Sequence, residues 1–367
     1  MIVFSAAGLG GAERSLSRMA LANDQAGFSY LFSTLGGDGP WAEWMRQVGQ
    51  QPLVFSLLGH LPRPAEILRF IATVRHRSPR VIYVVGVRAA VFIRLLKPFL
   101  GGVKVVHGIR TTFERGTSLA RSFGIPERLF QHWTACYIAN SSAGADTLSV
   151  LSRIPRDRFY VIPNGVEIPR NSIPPITERP DIIAVVANIH RLKGHREFLK
   201  VVDLVHRARP HSVFNFIGED NLNGEIQHTA RAMGLESAVR FAGFQPDVWP
   251  WLIAARLFVL PSRNVEGAPT SILEAQGAAL PVVAFAIGGI PDIVRDGIDG
   301  CLIAPGDDHA MARTIVALLE EPPRCAAMGQ AGREKVVSLF TVQASARRHA
   351  QVWRELLSAR NESATNP

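Results

Sequence analysis

Cysteine is scarce in this chain, and several signature patterns are missing altogether. Its three cysteines, Cys136, Cys301 and Cys325, stand too far apart for a disulfide framework or a metal site, so a reducing, cytoplasmic setting is expected. No Asp-x-Asp motif occurs and the histidines lack metal-ligand spacing, which implies metal-free handling of any phosphate group. A Gly-x-Ser-x-Gly elbow is missing, and with it the case for a serine hydrolase. There is neither a phosphate-binding Gly-Lys-Ser/Thr loop nor a full dinucleotide fingerprint, which disfavours ATP and nicotinamide cofactors. No apolar run reaches the roughly 18 residues a membrane span needs. The best stretch, 81–100, is broken by Arg88, Arg94 and Lys97. Met1 to Ser5 carry no basic leader and pass straight into a strand pattern, so no secretory signal is predicted.

What the chain does contain suits a folded protein of two domains. It has 367 residues, 47% of them apolar and 19% charged. Its net charge of +9 is one-sided: residues 1–168 hold 19 lysines and arginines against 10 acids, and the remainder holds 21 of each. Arg63, Arg69, Arg75, Arg77, Arg80, Arg88, Arg94 and Lys97 flank or lie on two predicted helices, near apolar Leu57, Leu58 and Leu61. A solvated surface accounts for any one of these residues. Together they point to an anionic lipid surface or a lipid diphosphate. No nucleic-acid partner is expected, because no binding module or interleaved aromatic platform stands beside those arginines.

Short apolar runs alternate with helical patterns, which predicts parallel sheets crossed by helices. In the first half the strands fall at 2–6, 28–33, 53–57, 81–85, 104–107, 135–139 and 159–162, with helices at 12–23 and 64–76. A proline-rich connector, 163–181, precedes a second series at 182–187, 213–217, 239–242, 257–260, 282–285 and 300–303. The expected fold is α/β, with two doubly wound Rossmann-like domains facing across a cleft: 1–168, 169–340, and a helix at 341–357 that crosses back before a loose tail from Ser358. Ligands in such sheets bind beyond the carboxyl ends of the strands.

Those ends carry the candidate chemistry. Gly8, Gly10 and Gly11 follow the first strand and open a helix, where N–H groups can face a phosphate. The loop after Val106, at the end of the fifth strand, is expected to contribute His107 and Arg110, although a hydrogen-bonded core histidine is the plainer account of His107. The second domain's first strand leads into Asn188, Arg191 and Lys193, the lysine placed to neutralise a diphosphate leaving group. Most informative is the stretch from Pro261 to Ala275. Glu266 sits in the turn, Glu274 lies in a helix predicted at 270–279, and first-turn N–H groups at Thr270, Ser271 and Ile272 are able to cradle a diphosphate. Ala275, Gly277 and Ala278 form a small-residue face expected to admit a strand and a ligand.

On these motifs the chain resembles glycosyltransferase family 4, also described as glycosyl transferases group 1: retaining enzymes of the GT-B fold. Gly10-Gly11-Ala12-Glu13-Arg14, Ile162-Pro163-Asn164-Gly165-Val166, Lys193-Gly194, Glu266-Gly267 with Glu274, and Gly288-Gly289-Ile290-Pro291-Asp292 stand in the family's order. The resemblance implies transfer of a sugar from a nucleotide-sugar such as a UDP- or GDP-sugar to a glycan or lipid-linked acceptor hydroxyl, in cell-envelope or exopolysaccharide synthesis. No further cofactor is implied. Glu266 and His107 would contact the transferred sugar, Glu274 the ribose, Lys193 and the 270–272 N–H groups the diphosphate, and Gly11 the turn beside it. Three positions depart from the usual pattern: Asn188 replaces an arginine, Gln276 a methionine, and Asp292 a longer acid. A sugar-nucleotide epimerase of the same architecture and a non-catalytic sugar-nucleotide-binding protein are the alternatives. The expected location is the cytoplasm, or the inner face of the cytoplasmic membrane.

Overall fold

The computed structural model describes residues 1–22, 27–59, 62–110, 118–169, 173–264 and 266–362, without the side chains of 118–122 and 359–362. Asn23, Leu61 and Val265, expected in a helix, at a basic surface and in the acidic turn, lie outside them. The chain divides into two compact units, 1–165 with 342–367, and 166–341.

Unit one is built on seven parallel strands: β1 (Ile2–Phe4), β2 (Phe32–Thr34), β3 (Leu53–Val54), β4 (Val81–Val85), β5 (Lys104–Ile109), β6 (Cys136–Ala139) and β7 (Phe159–Val161). Their order is β3-β2-β1-β4-β5-β6-β7. The order reverses between β1 and β4, so this sheet has its topological switch point there. Near-continuous Val/Ile/Leu/Phe composition follows from burial on both faces. One face packs Leu16, Met19, Trp41 and Trp353, and the other Phe55, Phe70, Val74 and Ile93.

Unit two has six parallel strands, β8 (Ile182–Val186), β9 (Val213–Ile217), β10 (Val239–Gly243), β11 (Leu257–Leu260), β12 (Val282–Phe285) and β13 (Gly300–Ile303). Their order is β10-β9-β8-β11-β12-β13, which puts the switch point between β8 and β11.

Several boundaries differ from the sequence expectation. Strand β2 begins at Phe32 because Phe28 and Tyr30 pack on the core around Trp353, whose Nε1 donates to the Tyr30 hydroxyl at 3.1 Å. Strand β3 ends at Val54 because Phe55 and Leu57 turn into the core, Phe55 meeting Phe70 edge-on at 5.1 Å. Leu57 is therefore no part of a surface patch. Nor is Arg94, which is fully buried. The connector is pinned rather than slack: Ile176 is buried, and Arg179 donates to the carbonyls of Pro174, Ala255 and Ala278. The last helix runs Val342–Glu362, past the point where a loose tail was expected.

That helix docks on unit one through Ala346, Val352 and Trp353. Between them lies His349, fully buried against the Tyr83 and Trp353 rings, with Nδ1 2.9 Å from the Ser345 carbonyl. Burial pushes its imidazole down to about 3 from an ordinary 6.5. An unfolded chain binds this proton at higher pH than the folded one, so the contribution to stability is whole above 6.5 and is lost as pH falls towards 3. Urea unfolding at pH 7 and pH 5 should show a loss at the lower pH, and His349→Leu should reduce that loss by on the order of 1 kcal/mol.

Candidate functional site

The site in unit two is assembled across its switch point. After β8, Asn188 Oδ1 accepts from the Glu219 N–H at 3.1 Å and ties this loop to the one after β9. His190 Nδ1 accepts from the Leu192 N–H at 3.3 Å and starts a single 3-10 turn, Arg191–Lys193. Gly194 ends that turn at φ 72°, and a Cβ there would lie 2.3 Å from the Pro261 carbonyl oxygen. Only glycine allows this contact, which brings Lys193 against the loop after β11.

Lys193 Nζ donates to Glu266 Oε1 at 2.5 Å, and the buried Ser262 hydroxyl donates to the same oxygen at 2.5 Å. The Glu266 side chain is 8% exposed and that of Lys193 33%. A carboxylate so far from water needs such partners. From the other side, Gly289 N–H donates to the Glu266 carbonyl at 3.0 Å, and a Cβ on Gly288 (φ 52°) would fall 2.0 Å from it. Loops after three strands, β8, β11 and β12, thus converge on one residue.

The helix carrying Glu274 runs Thr270–Gly277, with Pro269 at its N-cap and no side-chain cap. Its first turn, Thr270, Ser271 and Ile272, opens beside the Glu266 loop, and Glu274 is half-buried one turn on. Ala275, Gly277 and Ala278 are buried, so this small-residue face is spent on packing and not on a ligand. A Cβ on Gly277 would lie 2.9 Å from Ile168 and 3.0 Å from Trp249. Arg191 is not brought to Glu266. Its side chain is 81% exposed and its carboxylate neighbour is Glu225, at 4.0 Å. A cavity of about 450 Å³ opens on that side, lined by His190, Arg191, His195, Arg196, Leu222 and Glu225 among others, but by neither Lys193 nor Glu266.

In unit one, Gly10 is the N-cap of the helix Gly11–Leu21. The Glu13 carboxyl folds back onto its own N–H and that of Gly10. Burial raises its pKa, and those two bonds and the charge of Arg110 oppose the rise. Part of the N–H cradle expected here is therefore already occupied by an acid. Gly11 is exposed, with open space where a Cβ would stand. His107 is a strand residue, not a loop residue, because β5 continues to Ile109. It is 1% exposed, with Nδ1 3.0 Å from Glu127 Oε1 and 3.1 Å from Arg94 Nη2. Arg110 Nη2 donates at 2.5 Å to Asn164 Oδ1, which also receives the Ser15 hydroxyl at 3.1 Å.

Sequence reasoning missed Ser262, Arg94 and Glu127. Arg94 had a signal: it follows Ala90 and Ile93 at helical spacing, on the apolar face of the Val87–Leu96 helix. Among the described residues no cluster of His, Cys, Asp or Glu is arranged to hold a metal, and no helix is long and apolar enough to cross a membrane.

Residues 9–170 match the family model described as Glycosyltransferase Family 4, and residues 180–321 match that described as Glycosyl transferases group 1. The chain belongs to glycosyltransferase family 4. Among curated members it is 28% identical over 242 residues to the D-inositol 3-phosphate glycosyltransferase of Thermobispora bispora, a match covering 60% of this chain and 56% of that protein. It is 28% identical over 248 residues to the GDP-mannose-dependent alpha-(1-6)-phosphatidylinositol monomannoside mannosyltransferase of Mycolicibacterium smegmatis, covering 60% and 64%. The matches thus span little more than half the length of these relatives. The fold is GT-B. Anabaena Alr3699/HepE, solved in complex with UDP, superposes with a TM-score of 0.82 at 20% identity, covering 96% of this chain and 99% of that one.

Gly194 makes the family's Lys-Gly step a geometric requirement. Gly194→Ala should destabilise unit two by about 1–3 kcal/mol in urea unfolding, through a left-handed φ combined with a backbone clash.

Proposed function

We propose that this family 4 member is a retaining glycosyltransferase that moves a sugar from a nucleotide-sugar to an acceptor hydroxyl without a metal. The observation that carries this reading is the Lys193–Glu266 pair, held at 2.5 Å across the switch point of unit two and beside the N-terminus of the Thr270–Gly277 helix. A diphosphate on the first-turn N–H groups of the Thr270–Gly277 helix meets the positive end of the helix dipole. An ammonium has three donors, so Lys193 can serve the diphosphate and Glu266 together. Its charge then neutralises the leaving group as the glycosidic bond breaks. Asn188 spends its carbonyl on Glu219 and keeps its amide N–H groups for a phosphate, while Arg191 has the reach of an exposed side chain.

Glu266 stands on the reacting face, either as nucleophile or as the carboxylate that stabilises positive charge on a same-face path. Glu274, one helical turn from the phosphate end, accepts from ribose hydroxyls. In unit one, Gly11 allows close approach of the diphosphate, Arg110 lies beside it, and His107 contacts the transferred sugar. Two comparisons support a UDP- or GDP-sugar donor: HepE is solved with UDP-glucose, and the mycobacterial relative is named for GDP-mannose. The phosphatidylinositol monomannoside in the same relative's name supports a lipid-linked acceptor.

The test is a thermal-shift panel of UDP- and GDP-sugars, followed by turnover of the stabilising donor with lipid-linked and glycan acceptors. A new glycosidic bond with retained anomeric configuration is expected. Glu266→Ala and Lys193→Ala should each lower kcat by about 10²–10³-fold. An altered free sugar nucleotide with no new glycosidic bond would assign an epimerase, and full turnover by both variants would reject catalysis at this pair.

Acceptor delivery from the inner face of the cytoplasmic membrane is the second part of the proposal. Arg63, Arg69, Arg75, Arg77 and Arg80 lie on or next to the Pro64–Arg77 helix that carries Leu68, and Arg88 and Lys97 on or next to the Val87–Leu96 helix that carries Leu95 and precedes Phe99; Leu68, Leu95 and Phe99 are each more than half exposed. Basic and apolar groups together bind anionic bilayers. Flotation with anionic liposomes should recover the protein, and Leu95→Ser with Phe99→Ser should reduce recovery several-fold. Equal flotation with neutral lipid would sink the idea.

A further inference from the structure

We infer that the buried Ser262 hydroxyl is a positioning group for Glu266, holding the carboxylate in direction while Lys193 turns its charge to the leaving group. This rests on the proposed reading of the Lys193–Glu266 pair and adds to it a residue that touches no substrate.

Glu266 Oε1 takes two donors of different kind, Lys193 Nζ and the Ser262 hydroxyl, each at 2.5 Å. Lys193 is a charged group on a long stem, and its side chain is one-third exposed. Ser262 is neutral and wholly buried, so its hydroxyl acts on the chemistry only through Glu266. The difference matters once the glycosidic bond begins to break. Negative charge then grows on the diphosphate and draws the ammonium, while positive charge grows on the sugar and calls for the carboxylate. One cation directed at the diphosphate holds Glu266 less firmly, and one directed at Glu266 offsets the negative charge the sugar needs. A serine hydroxyl does neither. It fixes an oxygen without cancelling its charge, and a hydrogen bond to an ionised acceptor is among the stronger ones.

The main chain of this loop is held by other contacts. Gly194 lies against the Pro261 carbonyl, and the Gly289 N–H donates to the Glu266 carbonyl at 3.0 Å. Between them, the Arg263 guanidinium stands over the Phe285 ring at 5.3 Å and pairs with Asp308. The Ser262 hydroxyl bond, from one side chain to another four residues on, is therefore spent on the direction of the carboxylate and not on closing the loop.

The test is a double-mutant cycle on turnover of the nucleotide-sugar identified by the thermal-shift panel. Ser262→Ala should lower kcat about tenfold and leave the KM for the nucleotide-sugar within twofold, as expected when an interaction matters only in the transition state. Introduced into Glu266→Ala, which has no carboxylate to position, the same change should cost less than twofold. If Ser262→Ala fails to fold, Ser262→Cys, whose thiol is a weaker donor, takes its place in the cycle with the same outcomes. An equal loss in both backgrounds would reduce Ser262 to a structural role, and a raised KM at unchanged kcat would assign it to donor binding; either overturns the inference. So would full kcat in Ser262→Ala beside a hundredfold loss in Glu266→Ala, which leaves the Lys193–Glu266 reading standing. Full turnover by Glu266→Ala would instead reject that reading, and the positioning role with it.

Discussion

The close approach of the loops after β8 and β12 to the loop after β11 is the constraint from which the unit-two site follows. Gly194 lies against the Pro261 carbonyl and Gly288 against that of Glu266, at distances a Cβ would forbid. Main chain so placed leaves the Glu266 side chain little choice of direction. Lys193 and Ser262 then fix its one oxygen. A switch point supplies the crevice, but glycine decides how tightly the loops around it close. Catalytic carboxylates gain from such preorganisation because their partners need not move when charge develops on the substrate.

Unit one meets the same requirement with side chains. Its glycine turn is partly filled by the Glu13 carboxyl, and its polar centre is carried by Asn164, which joins Ser15 of the first helix to Arg110 after β5. His107 is held below the strand end by partners from two helices. These particular groups therefore hold one another in place. That is the pattern expected of residues whose orientation matters more than their exposure.

Much of this was legible in the sequence, and what was not has identifiable causes. Strands β4, β9, β11, β12 and β13 have the bounds predicted from their apolar runs, and β8 lacks only the last predicted residue, Ala187. Failures cluster at β2 and the edge strand β3, where the apolar residues beyond the strand serve a helix rather than the ladder. Lys193 and Glu266 could be placed in loops after strands and Glu274 in a helix because local pattern suffices for that. Ser262, Arg94 and Glu127 could not, since each matters through a partner distant in space. A charged residue on an apolar helix face, such as Arg94, is the one such signal that local pattern can carry.

Gln276 shows how a departure from a family's usual residue is absorbed. It stands where the family resemblance implies a methionine, two positions after Glu274 and buried on the same helix. Its Nε2 donates to Asp299 Oδ1 at 2.9 Å, and Asp299 also accepts from Lys335 Nζ at 2.8 Å and from the Arg295 N–H at 2.9 Å. An amide in a core needs such partners; the Nε2 end has Asp299, while Oε1 is buried without a hydrogen-bond partner among the described residues. Asp299 and Lys335 are themselves buried, so the four residues form one network, and Gly332 makes room for the Gln276 side chain. A methionine packs adaptably, whereas this network has defined directions. The helix that presents Thr270, Ser271, Ile272 and Glu274 is consequently anchored by hydrogen bonds as well as by packing, and its register on the sheet cannot slip without breaking the Asp299 contacts.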